Sequence, residues 1–271
     1  VAAAIQLKRS GVPVMLFEKG AVGGLLHNAN LVENYPGIPG GLPGPSFCRR
    51  LEQHLESAGV VPVRDEVTSI EAGFVLKTGS KGTVQARAVI VATGTVPTRG
   101  ILEEEASLLG KRIFFEVWDV LCSAKGRRAA ILGGGDAAYD YALNLASKGY
   151  TVRVLQRGPA RCLPLLEERA RDHDAITIVH GVNGIALRNE EKMLGIELEG
   201  ERLDVDFLLV ACGRSPADRL LPETNPPGLF TGGDLVRGSL RQAGIAVGDG
   251  LAAAMKAARY VKGLDLHGTH P

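Results

Sequence analysis

What this chain lacks narrows it first. Its four cysteines, Cys48, Cys122, Cys162 and Cys212, stand far apart and form no Cys-x-x-Cys, so neither a disulfide framework nor a zinc site is expected. His54, His173, His180, His267 and His270 show no metal-ligand spacing either. Charge of one sign is missing: 31 Lys and Arg stand against 30 Asp and Glu, which excludes a global attraction to nucleic acid or anionic lipid. No apolar run approaches the roughly 18 residues of a membrane span, and no signal peptide is visible. A cytoplasmic chain with no nucleic-acid or membrane partner is the expectation.

What is present is glycine, 35 of 271 residues, gathered in short runs behind apolar segments. In "RRAAILGGGDAAYDYALNLASKGYTVRVLQRG", Arg127 to Gly158, Ala129 to Leu132 predict a strand and Gly133-Gly134-Gly135 a turn. A helix follows, with Ala142, Leu143, Leu145 and Ala146 on one face, until Gly149 stops it, and Val152, Val154 and Leu155 begin a second strand. The unit carries Gly133-x-Gly135-x-x-Ala138, the dinucleotide fingerprint in its confirming context. The glycines let backbone approach a pyrophosphate, and the helix N-terminus supplies free N–H groups and a favourable dipole. After the second strand stand Gln156 and Arg157, and an arginine there suits a ribose 2′-phosphate, favouring NADP over NAD.

The opening "VAAAIQLKRSGVPVMLFEKG" aligns with "YDYALNLASKGYTVRVLQRG" without a gap, Ala4 on Ala142, Leu7 on Leu145, Gly11 on Gly149, Val14 on Val152 and Gly20 on Gly158. Val1 falls on Tyr139, one residue past the fingerprint, so a first strand and glycine turn are expected to precede this chain. Glu18 then ends the second strand of a first unit, where a carboxylate hydrogen-bonds ribose hydroxyls.

Between the two units, Gly24 to Phe47 reads as a long Gly-, Pro- and Asn-rich loop, a length that is uncommon unless the loop binds something. An amphipathic helix is expected over Phe47–Ala58, and a β-meander over Val61–Gly94 that ends in the buried strand "AVIVATG". A second meander follows the second unit and ends at Ala211-Cys212-Gly213. The last segment predicts a strand ending at Gly232-Gly233-Asp234 and a helix from about Gln242 to Lys262. Asp234 is a candidate for a sugar alcohol or a phosphate-linked chain. The expected class is therefore α/β, with two Rossmann-like three-layer dinucleotide-binding domains and two dinucleotides, one of which can be a flavin.

In "GGLLHNANLVENYPG", "VIVATG", "ILGGGDAAYDYALNLA", "ACGRSP", "GGD" and "RQAGIAVGDGLAAA", in that order, nearly the whole chain resembles the low-molecular-weight thioredoxin reductases, two-domain flavoproteins of the pyridine nucleotide-disulfide oxidoreductase class. The resemblance implies an FAD domain in two segments, residues 1–103 and 217–271, with an NAD(P) domain, residues 104–216, inserted between them. By the same resemblance FAD would be held by Glu18, Lys19, Gly23, Gly24, Leu25, Leu26, Asn34, Val67, Thr93, Gly94, Gly233, Asp234, Arg241, Gln242 and Ala243. NADP would lie against Gly133, Gly135, Asp136, Ala137, Ala138, Arg157, Arg161 and Gly213. A cytoplasmic homodimer is also implied.

One departure stands out. The family carries its redox dithiol as Cys-x-x-Cys some 14 to 17 residues before the glycine turn, and that window here holds "EVWD", Glu116 to Asp119. No catalytic residue replaces the dithiol by sequence alone. Cys122, three residues on, is a single thiol and cannot run dithiol–disulfide exchange. Trp118 could cover a flavin face or pack at a domain interface, and His27 could act near the ring or sit at the surface. The leading expectation is an NAD(P)H-dependent FAD oxidoreductase with an acceptor other than thioredoxin. The ferredoxin–NADP reductases that share the fold also lack the cysteines, and their passage resembles Phe114 to Ala138 here, so ferredoxin or flavodoxin is the alternative acceptor. A flavin- or nucleotide-binding sensor or scaffold is the reading of another class.

Overall fold

The computed structural model describes residues 1–80, 82–98 and 107–264. His267, His270 and the expected 103/104 boundary lie outside the described residues. Among the described residues six α-helices form: α1 (Ala2–Arg9), α2 (Gly44–Ser57), α3 (Val117–Ser123), α4 (Asp136–Ala146), α5 (Pro164–Arg171) and α6 (Ala243–Val261). The chain divides into two compact units, Val1–Leu26 with Val32–Val96 and Ser215–Pro271, and His27–Leu31 with Pro97–Arg214.

The second unit is built on a five-stranded parallel sheet, in the spatial order Ile113–Phe114, Phe207–Val210, Arg128–Leu132, Thr151–Leu155, Ile176–Val179. Its central strand is buried on both faces, and the side chains alternate. Ala129 and Ile131 pack with Tyr139, Ala142 and Leu145 of α4, whereas Ala130 joins Leu194, Ile196 and Val205 of an antiparallel sheet formed by Ala186–Asn189, Leu194–Leu198 and Glu201–Val205. That alternation follows from the period of two in a strand, and it makes three layers: helices, parallel sheet, meander. The expected α/β class and Rossmann-like layering are borne out. Strand order reverses beside Arg128–Leu132, whose neighbours on its two sides, Thr151–Leu155 and Phe207–Val210, continue the chain in opposite directions. The glycine turn leaves the sheet at this switch point, where open α/β sheets bind ligands.

In the first unit α1 crosses α6 closely, because α6 presents small residues. A Cβ on Gly250 would stand 3.2 Å from the Ala3 nitrogen, and Ala254, Ala257 and Ala258 pack with Leu7 and Val12. Val89–Val91 pairs in parallel with Leu229–Thr231, and Val67–Glu71, Val75–Thr78 and Thr83–Gln85 form an antiparallel sheet.

Three expectations need correction. Val14 to Glu18 is extended but forms only an isolated bridge, Phe17 with Val63, because among the described residues its ladder is limited to the Glu18 N–H to Val63 O and Val63 N–H to Leu16 O bonds. Val63 accordingly lies beside that segment, outside the meander. The polar loop is shorter than expected: Gly24–Asn28 is a 3₁₀ turn, and α2 starts at Gly44, three residues early, with Pro45 near its first turn, where a missing N–H costs nothing.

A half-buried carboxylate ties the second unit's strand ends together. One Asp206 oxygen accepts the backbone N–H groups of Arg127 and Arg128, both at 2.8 Å, and the other accepts the Arg128 guanidinium at 2.8 Å. Burial pulls the Asp206 pKa up, and these bonds more than offset it, leaving the group below its ordinary 3.8. A carboxyl lowered on folding stabilises above its unfolded pKa and loses that contribution as pH falls through its folded value. The stability gap between the protein and an Asp206→Asn variant, measured by urea unfolding, is therefore expected to be full near neutrality and to close as the pH drops below about 4.

Candidate nucleotide and flavin sites

The second-unit site is a turn that only glycine can make. Gly133 has φ +146°, and a Cβ there would lie 2.5 Å from the Ala211 carbonyl oxygen at the end of the neighbouring strand. Gly134 is packed against Gln156, whose amide oxygen would stand 3.0 Å from an added Cβ. Gly135, in contrast, has open space where a side chain would be. It is the N-cap of α4, and no side chain caps that helix. The first N–H groups of an 11-residue helix thus face open space over a bare backbone, and that donor set fits a pyrophosphate.

Asp136, the first helical residue, is exposed and accepts the Leu163 N–H at 2.8 Å. The Arg161 N–H donates to the Gly134 carbonyl at 2.7 Å, so the loop that carries Arg161 is tied to the glycine turn from its far side. Ala138 is buried on the sheet and Ala137 is exposed. Arg157 and Gly213 are exposed. Gln156, at the position that invites comparison with Glu18, is buried; it accepts the Tyr139 hydroxyl at 3.0 Å, and its amide nitrogen lies 3.2 Å from His180 Nδ1. That leaves Arg157 as the polar group exposed at this strand end.

Several of the residues expected to hold FAD lie at two features, the first of which ends in the second unit. One is the turn Gly24–Asn28, entered through Gly23, whose φ is +102° and whose missing Cβ is replaced by the Cys48 sulfur, 2.3 Å from where it would be. Leu25 and Leu26 are half-buried in that turn. The other is the N-terminus of the 19-residue α6: Gln242 is its N-cap without a side-chain cap, and the Asn34 amide donates to Gln242 Oε1 at 2.8 Å. Arg241 and Ala243 flank this cap. Asp234 lies in the 3₁₀ turn Gly233–Leu235, and Asp249 of α6 shapes that turn by accepting the Gly233 N–H at 3.0 Å and the Arg237 guanidinium. Arg237 and the Gly233 bond hold the Asp249 carboxyl below its ordinary range against partial burial.

Elsewhere, one Glu18 oxygen accepts the Gly20 N–H at 2.8 Å, and Lys19 pairs with Glu66 at the surface. Thr93 donates its hydroxyl to the Ala217 carbonyl at 2.7 Å beside Gly94, and Val67 is half-buried at the start of its strand. The uncapped end of α6 and the backbone at Gly24, which has no neighbour where a Cβ would be, suit a dinucleotide's phosphates and sugar hydroxyls. Both donor sets therefore fit the two groups expected.

The "EVWD" window lies on and before α3 in the second unit. Glu116 is the N-cap residue of α3 and is mostly buried; it accepts Arg214 at 2.5 Å, the Asn28 amide at 2.8 Å and the Tyr141 hydroxyl at 2.9 Å. Trp118 packs against His27, ring centroids 4.9 Å apart. Asp119 is exposed on the first turn, yet partial burial raises its carboxyl pKa. Cys122 is exposed. The other three thiols are held protonated mainly by burial, Cys48 at about 11 and Cys162 and Cys212 above their ordinary value. Sequence reasoning missed Asn28, Tyr141, Asn144, Arg214 and Asp249.

A Rossmann-like second unit with an uncapped helix behind a glycine turn, and a first unit whose long α6 begins without a side-chain cap, fit a dinucleotide-dependent oxidoreductase. Residues 1–250 match the family "Pyridine nucleotide-disulphide oxidoreductase", and the chain belongs to it. It is 30% identical over 295 residues to a thioredoxin reductase of Streptomyces clavuligerus, covering 97% of this chain and 90% of that one. A thioredoxin reductase of Peptoclostridium litorale is 28% identical, with 97% and 94% covered. Among solved structures, the Lactococcus lactis thioredoxin reductase superposes with a TM-score of 0.81 at 24% identity, covering 97% and 95%. That of T. acidophilum superposes at 0.82 and 23%, covering 97% and 94%. The chain is thus an NAD(P)H-dependent flavoprotein oxidoreductase of a family that uses FAD and NADPH. No helix among the described residues is long and apolar enough to cross a membrane.

The glycine turn carries a direct test. A Gly133→Ala variant must either move Ala211 or abandon a positive φ, at a cost on the order of 1–3 kcal/mol. It is expected to bind NADPH at least tenfold more weakly in a calorimetric titration, with a lower urea midpoint.

Proposed function

We propose that this chain carries reducing equivalents from NADPH to bound FAD, and from there to an acceptor other than a thioredoxin disulfide. The observation that carries the proposal is the occupant of the dithiol window: a clamped carboxylate, Glu116, and an exposed carboxyl, Asp119, stand at its two ends. Neither can form a mixed disulfide. The cysteines do not compensate, since three are protonated by burial and Cys122 stands alone on its helix.

FAD, when bound, supplies the hydride-accepting ring, and the protein contributes binding, orientation and electrostatics. The α4 N-terminus and Gly133 to Ala138 would hold the NADP pyrophosphate, with Arg157 and Arg161 at the 2′-phosphate. Glu18, Gly23 to Leu26, Asn34, Asp234 and Arg241 to Ala243 would hold FAD. The two-segment FAD domain, the inserted NADP domain and the homodimer belong to the same proposal. Among acceptors, ferredoxin or flavodoxin is the narrower reading.

The FAD-loaded protein titrated anaerobically with NADPH and then NADH is expected to lose its oxidised-flavin absorbance, NADPH acting at the lower concentration. No bleaching with either nucleotide would overturn the proposal. Steady-state assays are expected to show turnover with ferricyanide and none with thioredoxin and insulin; thioredoxin-dependent turnover would refute the claim about the acceptor. Cytochrome c reduction with and without ferredoxin tests the narrower reading, which a lack of ferredoxin dependence would sink. An Arg157→Ala variant is expected to weaken NADPH roughly ten- to a hundredfold, the loss of a charge-assisted contact, while NADH changes little.

A further inference from the structure

The segment His27–Leu31 follows directly on Leu25 and Leu26, yet it belongs to the second unit, and polar bonds account for this. The Asn28 amide nitrogen donates to Glu116 Oε2 at 2.8 Å, and its amide oxygen accepts the Trp118 N–H at 3.0 Å. A carboxylate has no proton to give, so this contact fixes which way the amide faces. Asn28 is therefore the N-cap side chain that α3 lacks in its own sequence, supplied from 90 residues away. Its backbone carbonyl accepts the Asn144 amide at 3.0 Å, and the Asn30 N–H donates to Asp140 at 2.9 Å. Asn28 itself is 5% exposed. The remaining Glu116 bonds come from Tyr141 of α4 and from Arg214, so one carboxylate joins three separate segments. Burial, with the neighbouring carboxylate, holds the Tyr141 phenol well above its ordinary pKa and keeps it a donor.

We propose that Glu116 is a positioning residue that seats the segment His27–Leu31 by holding Asn28 against α3 and α4. A cysteine at this position could not do it, because a thiol sulfur is a weak acceptor and offers nothing like a carboxylate's two oxygens to three donors. The position that carries a redox thiol in the resembled family is here a structural clamp on the segment His27–Leu31. Any effect on the flavin rests on the proposed function; the role in seating the segment does not.

Amide hydrogen exchange tests the clamp without any redox step. In Glu116→Ala the Trp118 and Asn30 amides are expected to exchange at least tenfold faster, while those of Arg128–Leu132 keep their protection. Glu116→Gln, which retains one acceptor oxygen, is expected to recover part of that protection. In the FAD-loaded protein, Glu116→Ala is also expected to change the visible circular dichroism of the flavin and to lower kcat while the KM for NADPH stays within about twofold. Unchanged exchange at Trp118 and Asn30 in a folded Glu116→Ala protein overturns the clamp. Altered exchange with unchanged flavin dichroism overturns its reach to the cofactor. If Glu116→Ala does not fold, Tyr141→Phe removes one donor without a cavity, and faster exchange at the same two amides is expected there too; no change would count against the proposal. Failure of the flavin to bleach in the unaltered protein would remove the proposed function and leave the exchange result standing.

Discussion

The second unit depends on one close approach, the Gly133 backbone against the Ala211 carbonyl. An added Cβ would come within 2.5 Å of that oxygen, so the strand Arg128–Leu132 can turn into α4 only if the residue at the bend has no side chain. Once the bend is made, the rest follows by geometry. The N-terminus of α4 points out of the sheet at its switch point, Ala138 and Tyr139 are driven into the core, and the helix's unpaired N–H groups are left for an anion. The same helix then offers Asp140 and Asn144 to the strap of residues 27–31, and Tyr141 to Glu116, which holds that strap. One turn thus orients a helix whose uncapped end suits an anion and whose side anchors a loop.

Polar burial is organised around acceptor-rich carboxylates. Asp206 gathers two backbone N–H groups and a guanidinium, Asp249 gathers the Gly233 N–H and Arg237, and Glu116 gathers an amide, a phenol and a guanidinium. In each case the carboxylate has two oxygens and takes more than one donor from outside its own element, so the desolvation cost of the charge is offset and a loop is fixed in register. At Glu116, where the Asn28 amide and the Tyr141 hydroxyl are buried, removing the acceptor leaves more than one buried donor unsatisfied at once.

Much of the fold was legible because it is written in local periodicity. The α4 unit could be read from Gly133, Gly135 and the spacing of Ala142, Leu143 and Leu145, and the register between the opening segment and Tyr139–Gly158 placed α1 correctly. What failed depended on partners remote in sequence. Val14 to Glu18 has strand-like residues, but a ladder needs a partner held in register along its length, and among the described residues this segment forms a single bridge, Phe17 with Val63. The extent of the polar loop was misjudged, because the 3₁₀ turn Gly24–Asn28 and the start of α2 at Gly44 leave no period in a Gly- and Pro-rich stretch. That Asn28 caps a helix 90 residues away could not be read from "HNANLVEN", because trans-capping leaves no period and no spacing.

The fate of the dithiol window shows how one substitution constrains others. A thiol at position 116 would leave Tyr141, Arg214 and the Asn28 amide without their common acceptor, three buried or half-buried donors at about 1–3 kcal/mol each. Conversely, a glutamate at 116 is tolerable only where an arginine is at hand, since a mostly buried carboxylate without a cation costs several kcal/mol. Glu116 and Arg214 are therefore one unit of sequence, and Asn28 joins them because its amide is both the donor that the carboxylate needs and the acceptor that α3 needs. Restoring cysteines at 116 and 119 would consequently not restore dithiol exchange by itself. It would unseat the strap, strand Arg214 without its counter-ion, and leave the α3 N-terminus uncapped.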